Sequence, residues 1–428
     1  MHRNVKRLGL ILLCVSFVHA FGYSVLSHEE VIDLMWDSDI RPALLKRFPS
    51  ATPAQLKRAH AYAYGGSVIQ DLGYYPLGNR KFTDILHYVR SGDFVAALIR
   101  DSRNMNEFAF ALGALSHCAA DSWGHISVNL SVPREYPKLH AKYGDWVTYE
   151  NDHDAHLNTE FSFDVLERAK HRYNSHRYHH QIGFQVPEDL LERAFADTYG
   201  ISLDHLLHFD DLTIEIYKIT VGTIIPEGVQ IAIATHKQQI GKEKRDPART
   251  EFLLHVSHAD YKPEFGNSYR RPGPFATVFG FILKLIPFGP AKVLGYRTPT
   301  PTTEDLYFRS TNDVLRQYHR LVEQVDAGDL NFPNRNLDTG ELTREGRYAL
   351  ADVTYAGLVH RLQRDHFRHI DAAMRANILE YFAHGEPENG SIKPKNWQKT
   401  EMSLQQLQAA PNVPEPSIRA TGLEDNPR

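Results

Sequence analysis

Residues 116–125 carry the strongest chemical signal in this sequence. Within SHCAADSWGH, His117, Asp121 and His125 follow one another at intervals of four residues. On an α-helix this spacing places the three side chains along one stripe. Two imidazoles and a carboxylate can ligate zinc, and the carboxylate can bridge two ions. The flanking residues are small and apolar, where unpaired ionisable groups would be unfavourable. The motif therefore predicts a metal site on a buried helix.

A second motif of the same type follows at residues 153–160, HDAHLNTE. His156 and Glu160 are again four residues apart, and His153 and Asp164 are predicted on the same helix face. A single pair of this kind is usually a surface ion pair. Two such helices close together predict a shared site, because one helix alone cannot complete the four-coordinate shell that zinc prefers.

Three upstream residues are further candidates. Asp71 lies in the Gly-rich stretch GSVIQDLG, and His87 lies on a predicted helix with Ile85 and Leu86. His28 begins a predicted helix that Ser27 would cap. Taken singly, these residues have ordinary explanations, since a loop Asp forms turns and a lone His is often solvated.

The ordered set of motifs resembles the zinc-dependent phospholipase C family and the related fungal single-strand nucleases. GSVIQDLGY together with SHCAADSWGH is especially similar to the N-terminal catalytic domain of glycosylphosphatidylinositol-specific phospholipase D. The resemblance covers roughly residues 21–165. The sequence departs from the bacterial and fungal relatives in having Phe21 where they begin with Trp, in a shorter Asp121–His125 spacing, and in a C-terminal half that the family does not explain.

The resemblance implies three zinc ions. One would be held by Asp71, His87, His117 and a bridging Asp121. A second would use the α-amino terminus of Phe21, His28 and Asp121, and the third would use His125, His156 and Glu160. Asp71 is the implied catalytic residue, because it could orient or deprotonate the attacking water. Phe21 can ligate through its α-amino group only after an N-terminal segment has been removed.

Residues 1–20 have the three parts of a secretory signal peptide. Arg3, Lys6 and Arg7 form a charged region, residues 8–18 form a short apolar run, and Ala20 ends a plausible cleavage site. We therefore expect a secreted or periplasmic protein that begins at Phe21. An uncleaved anchor is the alternative.

Composition and periodicity predict an all-α protein. The chain has 428 residues, 42% of them apolar and 23% charged, as in ordinary soluble globular proteins. We predict a phospholipase C/nuclease-like multi-helix catalytic domain at 21–240, a mostly helical extension packed on it at 241–386, and a disordered tail at 387–428. The broken apolar stretch at 275–296 is either a buried helix hairpin or an element that contacts a membrane surface.

The predicted function is zinc-dependent hydrolysis of phospholipids or other phosphodiesters by zinc-activated water. The first alternative is a multi-zinc nuclease. It would need basic and stacking residues along a groove, and the net charge of −4 with no basic cluster near the motifs disfavours nucleic acid as a partner. The second alternative is a non-catalytic zinc-stabilised binding protein. Structural zinc sites are usually Cys-rich, whereas Cys118 is the only cysteine after residue 20.

Overall fold

Helices form nearly all the regular structure of this protein. The computed structural model describes residues 25–75, 77–169, 183–206 and 297–410, with scattered positions from 213 to 229. Within these ranges there is no β-strand, and one isolated antiparallel bridge joins Arg335 to Leu342. The predicted all-α class is confirmed. The predicted signal peptide, Phe21, the domain boundary near 240 and the stretch 275–296 lie outside the described residues.

The N-terminal part carries ten α-helices within the described residues. They are α1 (Val25–Met35), α2 (Arg41–Arg47), α3 (Pro53–Ser67), α4 (Arg80–Tyr88), α5 (Ser91–Asp101), α6 (Met105–Ala119), α7 (His125–Glu135), α8 (Pro137–Tyr143), α9 (His153–Ala169) and α10 (Glu188–Tyr199). Two π-helical turns, Trp36–Ile40 and Ala120–Gly124, and the 3-10 helix Ile69–Tyr74 lie between them, and a second 3-10 helix, Leu203–His205, follows α10.

Four α-helices follow in the last part of the described chain. They are α11 (Pro301–Asp326), α12 (Ala349–Arg364), α13 (Ala372–Tyr381) and α14 (Pro394–Ala409). None of the helices in the described ranges is both long and apolar enough to cross a membrane.

Neighbouring residues in the sequence determine where α3 begins, but not where α1 begins. Thr52 caps α3 through a local motif, because its hydroxyl accepts from Gln55 N–H while the Gln55 side chain accepts from Thr52 N–H. By contrast, α1 begins at Val25 rather than after Ser27. Its first N–H groups, from Leu26 and Ser27, donate to Asp164 on α9, each at 3.1 Å. Asp164, which is distant in the sequence, therefore caps the start of α1 in place of the predicted local cap, Ser27.

Helices α3 and α6 cross at direct backbone contact in the centre of the protein. A Cβ atom added to Gly66 would lie 2.0 Å from the carbonyl oxygen of Phe110, and one added to Gly113 would lie 2.1 Å from that of Ala63. Only glycine permits such an approach. The crossing fixes the position of α6, whose last turn carries His117.

The predicted disordered tail is wrong for part of its length. Residues 394–409 form α14, with Leu407 and Thr400 fully buried. Thr400 Oγ1 lies 3.0 Å from Nε2 of His360 on α12. The sparse apolar pattern misled the prediction, because α14 buries one narrow face while the rest stays polar. Residues 411–428 lie outside the described part of the chain.

Candidate metal centre

Seven structural elements bring eight of the nine predicted ligands together. His28 lies on α1, Asp71 on the 3-10 helix Ile69–Tyr74, His87 on α4, His117 on α6, Asp121 on the π-helical turn that follows α6, His125 at the start of α7, and His156 and Glu160 on α9. All eight side chains are buried. The ninth candidate, Phe21, lies outside the described residues.

The motif at 116–125 is not one regular helix. The α-helical stretch ends at Ala119, a π-helical turn runs from Ala120 to Gly124, and α-helix resumes at His125. A π-turn inserts an extra residue into the helical repeat and changes the direction of the side chains that follow. The predicted single stripe is thereby modified: His125 still faces Asp121, and it also faces α9.

Asp121 is the centre of the arrangement. Four imidazoles direct Nε2 at its carboxylate: those of His117 at 3.0 Å, His87 at 3.2 Å, and His28 and His125 at 3.5 Å each. The Asp121 side chain is 1% exposed. Four ring nitrogens around one buried carboxylate is the geometry of ligands gathered around shared cations.

Three groups of residues within the described chain could each hold an ion, with ligand atoms within 4.8 Å of one another. The first is His28, His117 and Asp121, and the second is Asp71, His87 and His117. The third is His125, His156 and Glu160, the set that the resemblance implied. His117 reaches both of the first two groups, a shared position that the implied ligand sets had given to Asp121 alone.

The tautomers of two imidazoles favour cations at the centre. His87 Nδ1 lies 3.0 Å from the carbonyl oxygen of Thr83, and His117 Nδ1 lies 2.9 Å from that of Ser67. Since a carbonyl oxygen only accepts hydrogen bonds, each Nδ1 carries a proton, and Nε2 is the ring atom that faces Asp121 and can ligate. Although burial opposes it, the carboxylates of Asp121 and Asp71 raise the pKa of both imidazoles, and a cation bound at Nε2 would take the place of the proton there.

Several buried polar atoms support the same conclusion. Within the described part of the chain, five buried atoms make no hydrogen bond of acceptable geometry: both carboxylate oxygens of Asp121, both of Glu160, and Nε2 of His117. Unsatisfied buried ionisable groups cost several kcal/mol. Metal ligation would remove this cost, so the residues fit a cluster of divalent cations.

Burial sets the protonation of the third group. It lowers the pKa of His156 to about 4, so this imidazole is neutral, and therefore able to ligate, at physiological pH. It also raises the pKa of Glu160 well above its usual range. Glu160 Oε1 lies 2.8 Å from His156 Nε2 and 3.2 Å from His125 Nε2. A cation among these atoms would stabilise the ionised carboxylate.

Two other residues of the second motif take different places. Asp164 does not join the cluster. It accepts hydrogen bonds at the start of α1, including one from the Ser27 hydroxyl at 2.7 Å, and so helps to place His28. His153 is half-buried and its ring lies 4.2 Å from that of Tyr149. Tyr149 and Tyr74 line the same cavity as the third group.

Sequence reasoning missed one acidic residue of this cavity. Asp338 lies on the connection between α11 and α12 and is 2% exposed. It lines the cavity together with Asp71, Asp121 and Glu160. Its surroundings in the sequence, DTGELT, are those of a turn, and no local spacing links it to the ligand motifs.

Comparison with known proteins agrees with this geometry. Residues 27–208 match the family model described as zinc dependent phospholipase C. The matched segment contains all eight clustered residues and spans less than half of the 428-residue chain. No curated protein and no solved structure matches this chain. The predicted resemblance to the zinc-dependent phospholipase C family is confirmed by this match, which extends beyond the predicted range of 21–165.

Proposed function

We propose, on the premise that residues 27–208 match the zinc-dependent phospholipase C family, that the protein is a secreted phosphodiesterase acting on phospholipids. The observation that carries the proposal is the convergence of four imidazole Nε2 atoms on the buried carboxylate of Asp121. The candidate centre offers His, Asp and Glu side chains as ligands, whereas structural zinc sites are usually rich in Cys. This donor set supports catalysis over the non-catalytic alternative.

Zinc bound here would supply an activated water and would stabilise negative charge on a phosphoryl group. Asp71 is the proposed catalytic residue of the chain. Asp71 borders the cavity; its Oδ1 lies 3.4 Å from His87 Nε2, whereas its Oδ2 makes no hydrogen bond within the described residues. That second oxygen is placed to orient a water molecule and to accept its proton.

The charges of the cavity suit an anionic substrate. Asp71, Asp121, Glu160 and Asp338 line it, and three dications would outweigh four carboxylates. The remaining positive charge would favour a phosphodiester and the further negative charge of its transition state. We take phospholipid as the substrate class from the family description, and the predicted signal peptide as the basis for secretion with Phe21 at the N-terminus.

The test is zinc content and hydrolysis by the purified protein, with its N-terminus sequenced. We expect three zinc ions and hydrolysis of a chromogenic phosphodiester. His117→Ala removes the residue shared by two groups, so its rate should fall at least about 100-fold, the effect of losing a few kcal/mol of transition-state stabilisation.

His140→Ala is the matched control, because His140 is exposed on α8 and pairs with Asp145. It should hydrolyse the substrate at the wild-type rate. Wild-type protein without zinc, or an unchanged rate in His117→Ala, would refute the proposal. Rates on phosphatidylcholine vesicles and on single-stranded DNA then separate a phospholipase from a nuclease.

A further inference from the structure

Asp338 reaches the candidate centre from outside the segment that matches the family. Its Oδ1 lies 3.9 Å from Nδ1 of His125, on the side of the ring opposite the Nε2 that faces Asp121 and Glu160. This distance is longer than a direct hydrogen bond, but a buried negative charge on this side of the ring favours a proton on Nδ1, which leaves Nε2 as the ligating atom and makes it a stronger ligand.

The carboxylate of Asp338 is itself held in place. Its Oδ2 accepts hydrogen bonds from the hydroxyl groups of Tyr88 at 2.7 Å and Tyr348 at 2.5 Å. Both tyrosines are buried, and their rings lie 5.5 Å apart. The two donors leave Oδ1 as the oxygen directed toward His125.

The backbone around Asp338 is fastened to ligand-bearing elements. Leu337 N–H donates to the carbonyl oxygen of His87 at 3.1 Å. The Asn129 side-chain amide, on α7 one turn beyond His125, donates to the Asp338 carbonyl oxygen at 2.7 Å. A Cβ added to Gly340 would lie 2.0 Å from the carbonyl oxygen of Ser122, so this loop packs directly on the π-helical turn that carries Asp121.

We infer that Asp338 is a positioning residue for the metal group His125, His156 and Glu160, acting through His125, and that the α11–α12 connection therefore completes the site. The inference rests on the proposed metal centre. It assigns a role in the site to the C-terminal part of the chain, beyond the matched segment 27–208.

Asp338→Asn tests the inference with little change of shape. The amide oxygen can still accept from both tyrosines, while the NH2 group replaces Oδ1 and opposes the Nδ1 proton of His125. We expect zinc affinity at one of the three sites to fall about 10- to 100-fold, measured by competition with a chelator. At limiting zinc, the variant should hold two ions where the wild type holds three.

Glu341→Gln is the matched control, because it removes the same charge from the same loop at a side chain that is 61% exposed. It should bind zinc like the wild type. Tyr88→Phe removes one hydrogen bond to Asp338 without a change of charge and should weaken the same site less, which keeps the test decisive if Asp338→Asn folds poorly.

Wild-type zinc affinity in both Asp338→Asn and Tyr88→Phe would overturn the inference, even if the enzyme hydrolyses phospholipids. Conversely, a wild-type protein that binds three zinc ions but cleaves no phosphodiester would refute the proposed function alone. The zinc titrations of the Asp338 variants would still decide the role of this residue.

Discussion

Glu135 shows what burial does to a single carboxyl group in this protein. It lies at the end of α7, where burial raises its pKa to about 7, and Thr303 and the charge of Arg297 offset the effect only in part. Between pH 4.5 and 7, Glu135 therefore stays protonated in the folded protein, whereas in the unfolded chain, with an ordinary Glu pKa near 4.5, it has lost its proton. The contribution of this group to stability is complete below pH 4.5 and is lost as the pH rises to 7.

We expect Glu135→Gln to stabilise the protein at alkaline pH. Glutamine does not titrate, so the variant escapes the loss that the wild type undergoes between pH 4.5 and 7. The unfolding free energy of Glu135→Gln relative to wild type should rise by about 2–3 kcal/mol from pH 4.5 to pH 8. Urea unfolding at the two pH values measures this change, and a difference independent of pH would contradict the raised pKa.

At the residue scale, the sequence predicts ligands that repeat within a helix and misses partners that come from far away. His117, Asp121, His156 and Glu160 are recognisable because spacings of four place them on common faces. Asp164 and Asp338 act through contacts with elements distant in the sequence, Asp164 at the start of α1 and Asp338 beside His125. Neither contact leaves a local pattern.

At the scale of elements, the crossing of α3 and α6 determines where the ligands stand. Gly66 and Gly113 bring the two backbones into contact one turn before His117. Ser67, next to Gly66, supplies the carbonyl oxygen that holds His117 Nδ1. Close packing and ligand orientation therefore depend on the same pair of helices.

Gly113→Ala should destabilise the protein. The added methyl group would overlap the carbonyl oxygen of Ala63, so the helices must move apart, at a cost of about 1–3 kcal/mol. Thermal unfolding of the metal-free protein measures the effect without a contribution from bound ions.

The control for this substitution is Gly357→Ala on α12. A Cβ at Gly357 meets no atom within 4 Å among the described residues. Alanine is the better helix former, so this variant should be more stable than the wild type by up to about 1 kcal/mol. Equal unfolding temperatures for Gly113→Ala and the wild type would show that α3 and α6 do not touch there.

The π-helical turn could not be predicted from the apolar pattern of the sequence. Residues 107–130 have a continuous Ala- and Leu-rich pattern that indicates one long helix. The structure interrupts it at Ala120–Gly124. An inserted residue changes side-chain directions after it while leaving the hydrophobic composition unchanged, so the sequence signal is almost the same.

At the scale of the whole molecule, the C-terminal helices share a hydrophobic core with the part that carries the candidate metal centre. Tyr318 on α11 is fully buried and donates to the carbonyl oxygen of Leu112 on α6 at 3.0 Å. Tyr307, also on α11, donates to Glu30 on α1 at 3.2 Å. Part of the core that covers the matched segment 27–208 is thus supplied by α11, which lies outside that segment.

A chain that ends at residue 296 should not fold to a zinc-binding protein. It lacks α11, so apolar surface on α6 and α7 would be exposed to water. We expect loss of cooperative thermal unfolding and of bound zinc after size-exclusion chromatography. A chain that ends at residue 410 keeps every described helix and should behave like the full-length protein. A folded, zinc-binding 1–296 chain would contradict the shared core.

The contacts of Asp338 join parts of the chain that are synthesised at different times. Tyr88 and Asp338 are 250 residues apart in the chain. At synthesis rates of about 5–20 residues per second, roughly 10–50 seconds separate their emergence from the ribosome. The candidate ligands are thus made long before the loop that carries Asp338. The group His125, His156 and Glu160 would therefore gain its full affinity for a metal ion only when synthesis of the chain is nearly finished.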